Sequence, residues 1–413
     1  MFEMNWHEKV KNRTSKEVLS LNKQYGITTT TVDYPFVPWK ADKEFLFDRH
    51  DKKYIDFHSG IGCNNLGYRH RGILEAVSRQ IYEHGIIGFV HHDYPNPWAS
   101  ELSEALCRIT PGAFPKKVFF ASTGTEAVEA AAKMCLKRNP QKKKFFSFKN
   151  GFHGRTLGAL SFTNSKEIQK KDFPFGLGEG NVHYLPFPEQ NTGIASFRWG
   201  YYFSRNDIKL HEFNGIIFEL VQGEGGINVV DKKNIVDLIK ILRENGLAII
   251  VDEVQTGIMR TGKMFACNHY GIEPDIICLA KGLGSGMPIS ATVARAEFDF
   301  PEKGCHSNTH GGNALASVVA LETLRIFSSW TAQDYSDLEE KIKILSEFSD
   351  GGLGMMQRIV CDSKKERDEI INRAYYKGLI LLGAGEKNIR LMPPVIISKE
   401  SLKEARKILE SCY

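Results

Sequence analysis

The 413-residue sequence predicts an α/β fold with a mostly parallel central sheet and helices on both faces. From about residue 66 to residue 300, short apolar runs alternate with helical patterns. Several of these runs end in a charged or polar residue, which is where open α/β sheets place their ligands. The composition, with 42% hydrophobic and 25% charged residues, is that of an ordinary globular protein with a substantial core.

The clearest strand candidates are five apolar runs, each of a length typical of single strands. They comprise residues 117–120, 144–148, 215–219, 248–251 and 276–279. Helical patterns between some of them cover residues 126–138 and 232–245. Because parallel strands need a crossover connection, usually a helix, this alternation favours a parallel sheet.

The predicted organisation has three parts. Residues 1–65 are expected to form an N-terminal arm and part of a small domain, with a hairpin-like alternation at residues 44–57. Residues 66–310 are expected to form the large domain, and residues 311–413 the C-terminal small domain. The elements predicted in this last part are a long helix after Gly311-Gly312, a turn at residues 351–354, strands at residues 378–382 and 389–391, and a closing helix at residues 398–412 capped by Ser398.

Charge and cysteine content argue against several classes of protein. The formal net charge of +5 is small for this length and does not indicate nucleic-acid binding. The 8 cysteines show no CxxC spacing, so we interpret them as free thiols in a reducing compartment and predict no metal site. The first residues do not resemble a signal peptide, and no apolar stretch reaches about 18 residues. We therefore expect a cytoplasmic protein without a membrane or nucleic-acid partner.

Asp252 and Lys281 are the most informative residues of the chain. Each follows directly on a buried strand candidate, and Gly282, Gly284 and Gly286 come after the lysine. Pyridoxal phosphate needs a lysine for its Schiff base and an acid that keeps its pyridine nitrogen protonated. A carboxylate and a lysine at two strand ends supply both groups. The pair therefore predicts a pyridoxal phosphate site.

Other strand ends carry groups that suit the same cofactor, although each also has a simpler explanation. Residues 121–126 open a helix with Thr123 and Glu126 at capping-box spacing, which indicates either a phosphate site or an ordinary capped helix. Phe152 is either a ring stacker or a core aromatic residue. Arg155 is either a carboxylate clamp or a surface ion-pair residue. Further charged candidates are Glu219, Glu224 and Arg390.

Three segments resemble the class III aminotransferases, which are fold-type-I pyridoxal-phosphate-dependent transferases. They are residues 249–257 (IIVDEVQTG), residues 260–266 (RTGKMFA) and residues 274–281. The resemblance extends from about residue 51 to residue 394, and within the family it is strongest to 4-aminobutyrate aminotransferases of prokaryotic and archaeal type. It implies a large domain with a mostly parallel sheet flanked by helices, a smaller α/β domain, and pyridoxal 5'-phosphate as the cofactor.

The resemblance also implies a role for each candidate residue. Lys281 would carry the Schiff base, and Asp252 would pair with the pyridine nitrogen. The other implied cofactor-binding residues are Gln255 for the ring hydroxyl, Phe152 and Val254 for the faces of the ring, His153 next to Phe152, Gly124 and Thr125 for the phosphate, and Thr309 for the phosphate of the neighbouring subunit. The implied substrate-binding residues are Arg155 for a distal carboxylate, Arg390 for an α-carboxylate, Glu224 to cover Arg390 when the substrate has no α-carboxylate, and Glu219 on the substrate side.

The implied reaction moves an amino group from an amino acid, here an ω-amino acid such as 4-aminobutyrate, to a 2-oxo acid such as 2-oxoglutarate. Both substrates are small molecules, and the family resemblance implies a homodimer or a dimer of dimers. Two alternatives stay open: an amino-acid racemase or epimerase on the same fold, and a binding protein that keeps the fold without catalysis. Ornithine, acetylornithine-like compounds, lysine and neutral amino acids also stay open as donors.

Overall fold

The computed structural model describes residues 5–29, 34–88, 94–190 and 198–413. In this part of the chain a seven-stranded sheet lies at the centre with helices packed against it, so the predicted fold class is confirmed. Residues 1–4 and 30–33 of the predicted N-terminal arm lie outside the described residues, as do residues 89–93 and 191–197. No helix in the described ranges has the length and apolar character needed to cross a membrane.

The described residues form strands in the central sheet and in three smaller sheets. In chain order the strands are β1 (Lys40–Asp42), β2 (Phe45–Phe47), β3 (Lys53–Asp56), β4 (Lys116–Ala121), β5 (Lys144–Phe148), β6 (Val182–Leu185), β7 (Phe213–Phe218), β8 (Val221–Gln222), β9 (Asn228–Val229), β10 (Ala248–Asp252), β11 (Ile276–Leu279), β12 (Ser290–Arg295), β13 (Gly351–Leu353), β14 (Met356–Val360), β15 (Leu379–Ile380), β16 (Leu382–Ala384) and β17 (Asn388–Leu391). The five predicted strands of the central sheet correspond to β4, β5, β7, β10 and β11.

The α-helices of the described residues cover both the predicted helical segments and several others. In chain order they are α1 (Trp6–Asn12), α2 (Ser15–Tyr25), α3 (Ser59–Gly62), α4 (Arg71–Arg79), α5 (Pro97–Ile109), α6 (Gly124–Arg138), α7 (Leu157–Leu160), α8 (Trp199–Arg205), α9 (Lys232–Glu244), α10 (Cys267–Tyr270), α11 (Ala314–Ser328), α12 (Ala332–Ser346), α13 (Lys364–Tyr376) and α14 (Lys399–Glu410). Helices α6, α9, α11 and α14 confirm the predicted ones. The predicted N-cap of α14 is also confirmed, because the Ser398 side chain accepts a hydrogen bond from Ser401 N.

The central sheet has the strand order β4-β12-β11-β10-β7-β5-β6. Neighbouring strands are parallel except at β12, which runs antiparallel to both β4 and β11. The sheet is therefore mostly parallel, as predicted, and all of its strands except β12 end at the same edge. β12 was not predicted, because its buried residues Ser290, Ala291 and Thr292 are small or polar rather than large and apolar.

Helix α6 packs on the sheet through small side chains. Ala127, Ala131 and Cys135 are fully buried, and the Thr292 hydroxyl of β12 donates a hydrogen bond to Ala127 O at 2.9 Å. Because protein interiors are close-packed, small side chains at this contact let the helix lie close to the strands. The start of α6 is thereby held at the edge where β4 ends.

The predicted hairpin at residues 44–57 is confirmed as β2 and β3, with Phe45 paired to Ile55. The prediction of one strand at residues 378–382 is wrong. β15 pairs in parallel with β3, whereas β16 pairs antiparallel with β17. Leu381 between them is fully buried, so the chain changes from one sheet to the other at this residue without leaving the core.

The predicted turn at residues 351–354 is also wrong in its extent. Gly351 and Gly352 belong to strand β13, which pairs antiparallel with β14, and the turn between the two strands begins at Gly354. Gly351 and Gly352 have φ values of 136° and 143°, a conformation that glycine adopts readily. A cluster of glycines predicts a turn by propensity, but here cross-strand pairing decides the conformation.

Glu44 joins the N-terminal segment to the closing helix α14. Its side chain is buried, and Oε1 accepts hydrogen bonds from Ser398 N at 3.2 Å, Ser398 Oγ at 2.8 Å and Ser401 Oγ at 2.8 Å. Burial alone would raise the pKa of Glu44, but the hydrogen bonds from Ser398 and Ser401 outweigh it and hold the pKa below its ordinary value. The folded protein therefore stabilises Glu44 in its charged form.

Glu44→Gln is expected to lower the free energy of unfolding by about 2 kcal/mol, because hydrogen bonds to a charged group contribute about 1.5–3 kcal/mol each. Since the folded pKa is depressed, this contribution is present above the unfolded pKa of about 4.3 and is lost as the pH falls through the folded pKa. Thermal unfolding at neutral and acidic pH measures both effects. Glu404→Gln, at an exposed position of α14, is the control; equal losses in the two variants at neutral pH would contradict the role of Glu44.

Candidate active site

The ends of β4, β5, β7, β10 and β11 lie around one cavity of ≈450 Å³. This volume is in the range of about 300–1,000 Å³ that small-molecule sites occupy. Eleven of the predicted site residues line the cavity: Gly124, Thr125, Phe152, His153, Arg155, Glu219, Glu224, Asp252, Val254, Gln255 and Lys281. Arg390 contacts the cavity through Glu224, whereas Thr309 lies at an exposed position and does not line the cavity.

Asp252 is a buried carboxylate with a partner for each oxygen. It is the last residue of β10 and is 4% exposed. Oδ2 lies 2.8 Å from His153 Nδ1, and Oδ1 accepts a hydrogen bond from Val254 N at 3.0 Å. His153 was predicted among the cofactor-binding residues, and here its ring holds the Asp252 carboxylate in place.

Lys281 begins a 3-10 helix, Lys281–Gly284, two residues after the end of β11. Its φ of 44° is a left-handed conformation that is unusual for a non-glycine residue. Removal of the ammonium group from bulk water lowers the pKa of Lys281, against the opposing effect of Glu224 and Asp252. An amine with a lowered pKa is more readily available as a nucleophile and as a base.

The start of α6 lies at the cavity and is the candidate anion site. Ser122, Thr123, Gly124 and Thr125 line it, and they include the first residues of a 15-residue helix. The capping box predicted for Thr123 and Glu126 is present. Backbone N–H groups and the helix dipole favour a bound anion at such a position, so the cap and the anion site coexist.

Position 124 requires glycine because it lies very close to Val254, in the loop that follows β10. A Cβ atom there would lie 2.7 Å from Val254 Cγ1, closer than real Cβ contacts come. The phosphate-binding candidate Gly124 and the ring-binding candidate Val254 are therefore packed directly against each other. This contact joins the two predicted parts of the cofactor site.

The cavity suits the ring of pyridoxal phosphate. Phe152 and Val254 offer an aromatic and a branched apolar side chain to a flat ring. Gln255 also lines the cavity, and its buried Oε1 has no hydrogen-bond partner among the described residues. Since buried polar atoms are nearly always paired, this acceptor fits a ligand hydroxyl.

Arg390 and Glu224 form an ion pair beside the cavity. Arg390 Nη1 lies 2.7 Å from Glu224 Oε1, and the Arg390 side chain is 1% exposed. Burial would raise the pKa of Glu224, but Arg390 outweighs it and lowers this pKa to about 2. Lys281 and Lys166 act in the same direction. Glu224 is consequently charged at neutral pH and neutralises the buried guanidinium.

Glu219 directs both carboxylate oxygens to the backbone. Oε1 accepts a hydrogen bond from Phe152 N at 3.0 Å, and Oε2 accepts one from Gly223 N at 3.1 Å. Burial raises the pKa of Glu219 to about 7, and the negative charge of Asp252 adds to this effect. Glu219 thus holds the backbone of Phe152 and of Gly223, the residue before Glu224. Its contact with the substrate stays a prediction.

Some residues of the cavity were not predicted from the sequence. Cys63 lines it from the segment after β3, and residues 286–289 line it from the loop that leads to β12. Cys63 follows the turn α3, in which Ser59 and Ile61 have φ values of 49° and 60°. No apolar run ends at this segment in the sequence, so only the paired N-terminal strands bring it to the site.

Arg155 lies at the cavity with its guanidinium carbon 5.7 Å from the ring centroid of Phe152. A guanidinium within about 6 Å of an aromatic face is attracted to it. Arg155 is therefore held near the ring-binding candidate and presents a cation at the cavity. The arrangement as a whole offers one amine, one candidate anion site and two guanidinium groups, of which that of Arg390 is paired with Glu224.

Comparison with known proteins identifies the family. Residues 28–413 match the sequence profile of a protein family described as aminotransferase class-III. The acetylornithine aminotransferase of Aquifex aeolicus is 36% identical over 375 residues, which cover 88% of this chain and 93% of that protein. The acetylornithine aminotransferase of Lactococcus lactis is 34% identical over 388 residues, which cover 91% of this chain and 96% of that protein.

A solved structure shows the same fold. The ornithine aminotransferase of Toxoplasma gondii superposes with a TM-score of 0.86 at 22% identity, covering 99% of this chain and 97% of that one. The predicted family and cofactor are therefore confirmed, whereas the predicted likeness to the 4-aminobutyrate branch is not supported by these relatives. The chain belongs to the class III aminotransferases, and it is a pyridoxal-phosphate-dependent enzyme.

Proposed function

We propose that this aminotransferase takes the ω-amino group of an N-acetylornithine-like amino acid and transfers it to 2-oxoglutarate. The observation that carries the proposal is the buried ion pair between Arg390 and Glu224, 2.7 Å long, beside Lys281. A site that alternates between an ω-amine and a 2-oxo acid must bind an α-carboxylate next to the reacting carbon in one half-reaction only. A guanidinium with a removable carboxylate partner meets that requirement.

The two half-reactions use this pair differently. When the ω-amino end of the donor enters, no carboxylate lies near the reacting carbon, and Glu224 stays on Arg390. When the 2-oxo acid enters, its α-carboxylate competes with Glu224 for the guanidinium, with bidentate geometry available. Without Glu224 the buried charge of Arg390 would be unpaired in the first half-reaction, which is costly.

The other cavity residues have proposed roles in binding and proton transfer. Bound pyridoxal phosphate supplies an electron sink for the substrate carbon. Asp252, which His153 holds in place, would keep the ring nitrogen protonated, because an adjacent negative charge favours the charged form. Lys281 Nζ would hold the cofactor, and its free amine would accept the proton that leaves the substrate carbon. Gly124 and Thr125 hold the phosphate at the start of α6.

The donor assignment rests on the relatives and on Arg155. The relatives from Aquifex aeolicus and Lactococcus lactis are acetylornithine aminotransferases. Arg155 at the cavity provides a cation for the carboxylate at the far end of such a donor. 4-Aminobutyrate, the donor expected from the sequence, also has a distal carboxylate and is the second candidate.

We propose that the enzyme works as a dimer. Thr309 is exposed in the single chain and does not line its own cavity, as expected for a residue that binds the phosphate of a neighbouring subunit. The cytoplasmic location expected from the free cysteines stays a prediction.

A donor panel with 2-oxoglutarate as acceptor tests the proposed substrates. We expect the highest kcat/KM with N-acetylornithine, at least about tenfold above 4-aminobutyrate, ornithine and lysine, a difference of about 1.4 kcal/mol in transition-state binding. Glutamate formation measures the reaction. A higher kcat/KM with 4-aminobutyrate would replace the proposed donor, and formation of a D-amino acid from a single L-amino acid without a 2-oxo acid would indicate a racemase instead.

Arg390→Ala is expected to reduce kcat/KM for 2-oxoglutarate by about 100-fold, since losing a charged hydrogen-bond partner of the substrate costs about 2–5 kcal/mol. The half-reaction with the ω-amino donor should change by less than about fivefold, because that donor does not need the guanidinium. Single-turnover absorbance changes of the bound cofactor measure the two half-reactions separately.

The matched control for this variant is Arg295→Ala. Arg295 also pairs with a carboxylate, Asp275, at 2.7 Å, but at the end of antiparallel β12 and hence at the opposite edge of the sheet. We expect both half-reactions of Arg295→Ala to match the wild type. Equal losses in both half-reactions of Arg390→Ala would contradict the proposed alternation.

A further inference from the structure

Asn65 links the chain segments that follow β10 and β11, although it does not line the cavity. It is fully buried. Its Nδ2 donates a hydrogen bond to Ile258 O at 2.6 Å, and its Oδ1 accepts one from Arg260 Nη2 at 2.7 Å. Its backbone carbonyl accepts a further hydrogen bond from Val395 N at 2.9 Å. One residue from the N-terminal segment is thus tied to the loop after Asp252 and to the C-terminal region.

The Asn65 amide also packs against the backbone next to Lys281. A Cβ atom on Gly282 would overlap Asn65 Nδ2 and lie 2.9 Å from Asn65 Cγ. Lys281 has a left-handed φ of 44°, a conformation that costs a non-glycine residue about 1–3 kcal/mol and persists only when the surroundings hold it. The three atoms nearest to the position of such a Cβ atom all belong to the Asn65 side chain.

The loop on the other side of the amide is strained in the same way. Ile258 and Met259 have φ values of 56° and 66°. A β-branched residue in this region is a conformational outlier, and the carbonyl of Ile258 is the group that Asn65 binds. The same amide therefore contacts two left-handed turns, one that follows Asp252 and one that begins at Lys281.

Arg260 extends this connection to the C-terminal segment. Its side chain is fully buried, and Nη1 donates to Met355 O at 3.0 Å and to Pro393 O at 2.5 Å. Burial lowers the pKa of Arg260 to about 10, so it is charged at neutral pH. Pro393 lies three residues after Arg390, so the Asn65–Arg260 contact also joins the chain that carries the α-carboxylate candidate.

We propose that Asn65 is a positioning residue that sets the backbone of Lys281 relative to the Asp252 strand. Asn65 does not line the cavity; its proposed effect is on the position of the Lys281 amine. The inference rests on the proposed role of Lys281 in binding pyridoxal phosphate. Since a displacement of about 1 Å at a reacting group can cost about 100-fold in rate, a small shift of this turn is expected to be visible in catalysis.

The contact between Asn65 and Gly282 can be tested from both sides. Asn65→Ala removes the amide, and Gly282→Ala pushes a methyl group into it. In each variant, loaded with pyridoxal phosphate, we expect the pH midpoint of the cofactor's visible absorbance to move by at least about 0.5 unit, because a displaced lysine changes its interaction with the ring. We expect kcat to fall about tenfold while KM for 2-oxoglutarate changes less than about twofold.

The double variant Asn65→Ala/Gly282→Ala distinguishes positioning from general damage. The added methyl group then enters the space left by the amide, so the shift caused by Gly282→Ala should fall to less than about half of its value in the wild-type background. Asn214→Ala is the matched control. Asn214 is also buried and donates to Asn139 O and Lys142 O, but it lies at the start of β7, away from the cavity. It should lose thermal stability without any change in the absorbance midpoint.

Unchanged midpoints in folded Asn65→Ala and Gly282→Ala would overturn the proposal, as would shifts that simply add in the double variant. Gly282→Ala leaves the Asn65 side chain in the protein, so it decides the question when Asn65→Ala does not fold. A wild-type protein that forms no visible chromophore with pyridoxal phosphate would instead contradict the proposed function. The two failures are therefore distinguishable.

Discussion

The placement of the Asp252 carboxylate at the edge of the central sheet is the constraint on which the site depends. A charged group that is 4% exposed persists only when it is paired, and here His153 and the backbone of Val254 satisfy its two oxygens. The same buried anion raises the pKa of Glu219 and opposes the lowering of the Lys281 pKa. The parallel sheet makes this coupling possible, because strands that share a direction bring these residues to one edge.

Two of the charged side chains around the cavity each have a partner in the dry interior. Arg390 has Glu224, and Asp252 has His153. Glu219, whose pKa is about 7, accepts two backbone hydrogen bonds. Buried charges that lose a partner cost several kcal/mol, so each pair constrains which ligand group can enter. A ligand carboxylate in place of Glu224 would still neutralise the charge of Arg390, whereas a neutral ligand group would leave that charge unpaired.

The parts of this site that follow apolar strands could be predicted from the sequence. Asp252, Lys281, Glu219 and Gly124 each follow a run that is visible without a structure, and the parallel fold brings them together. Cys63 and Asn65 were missed, because they come from a segment with no apolar run that points to the site. The small-residue strand β12 and the change of sheet at Leu381 were missed for a related reason: both depend on which strands pair, and pairing is a long-range property.

Chemical trapping of the cofactor tests the central claim most directly. The protein loaded with pyridoxal phosphate is reduced with borohydride and digested, and the labelled peptide is identified by mass spectrometry. The site described above predicts a single labelled peptide with the cofactor on Lys281, and no label at that site after Lys281→Ala. Attachment to a different lysine, or full labelling of another peptide in the wild-type protein, would contradict it.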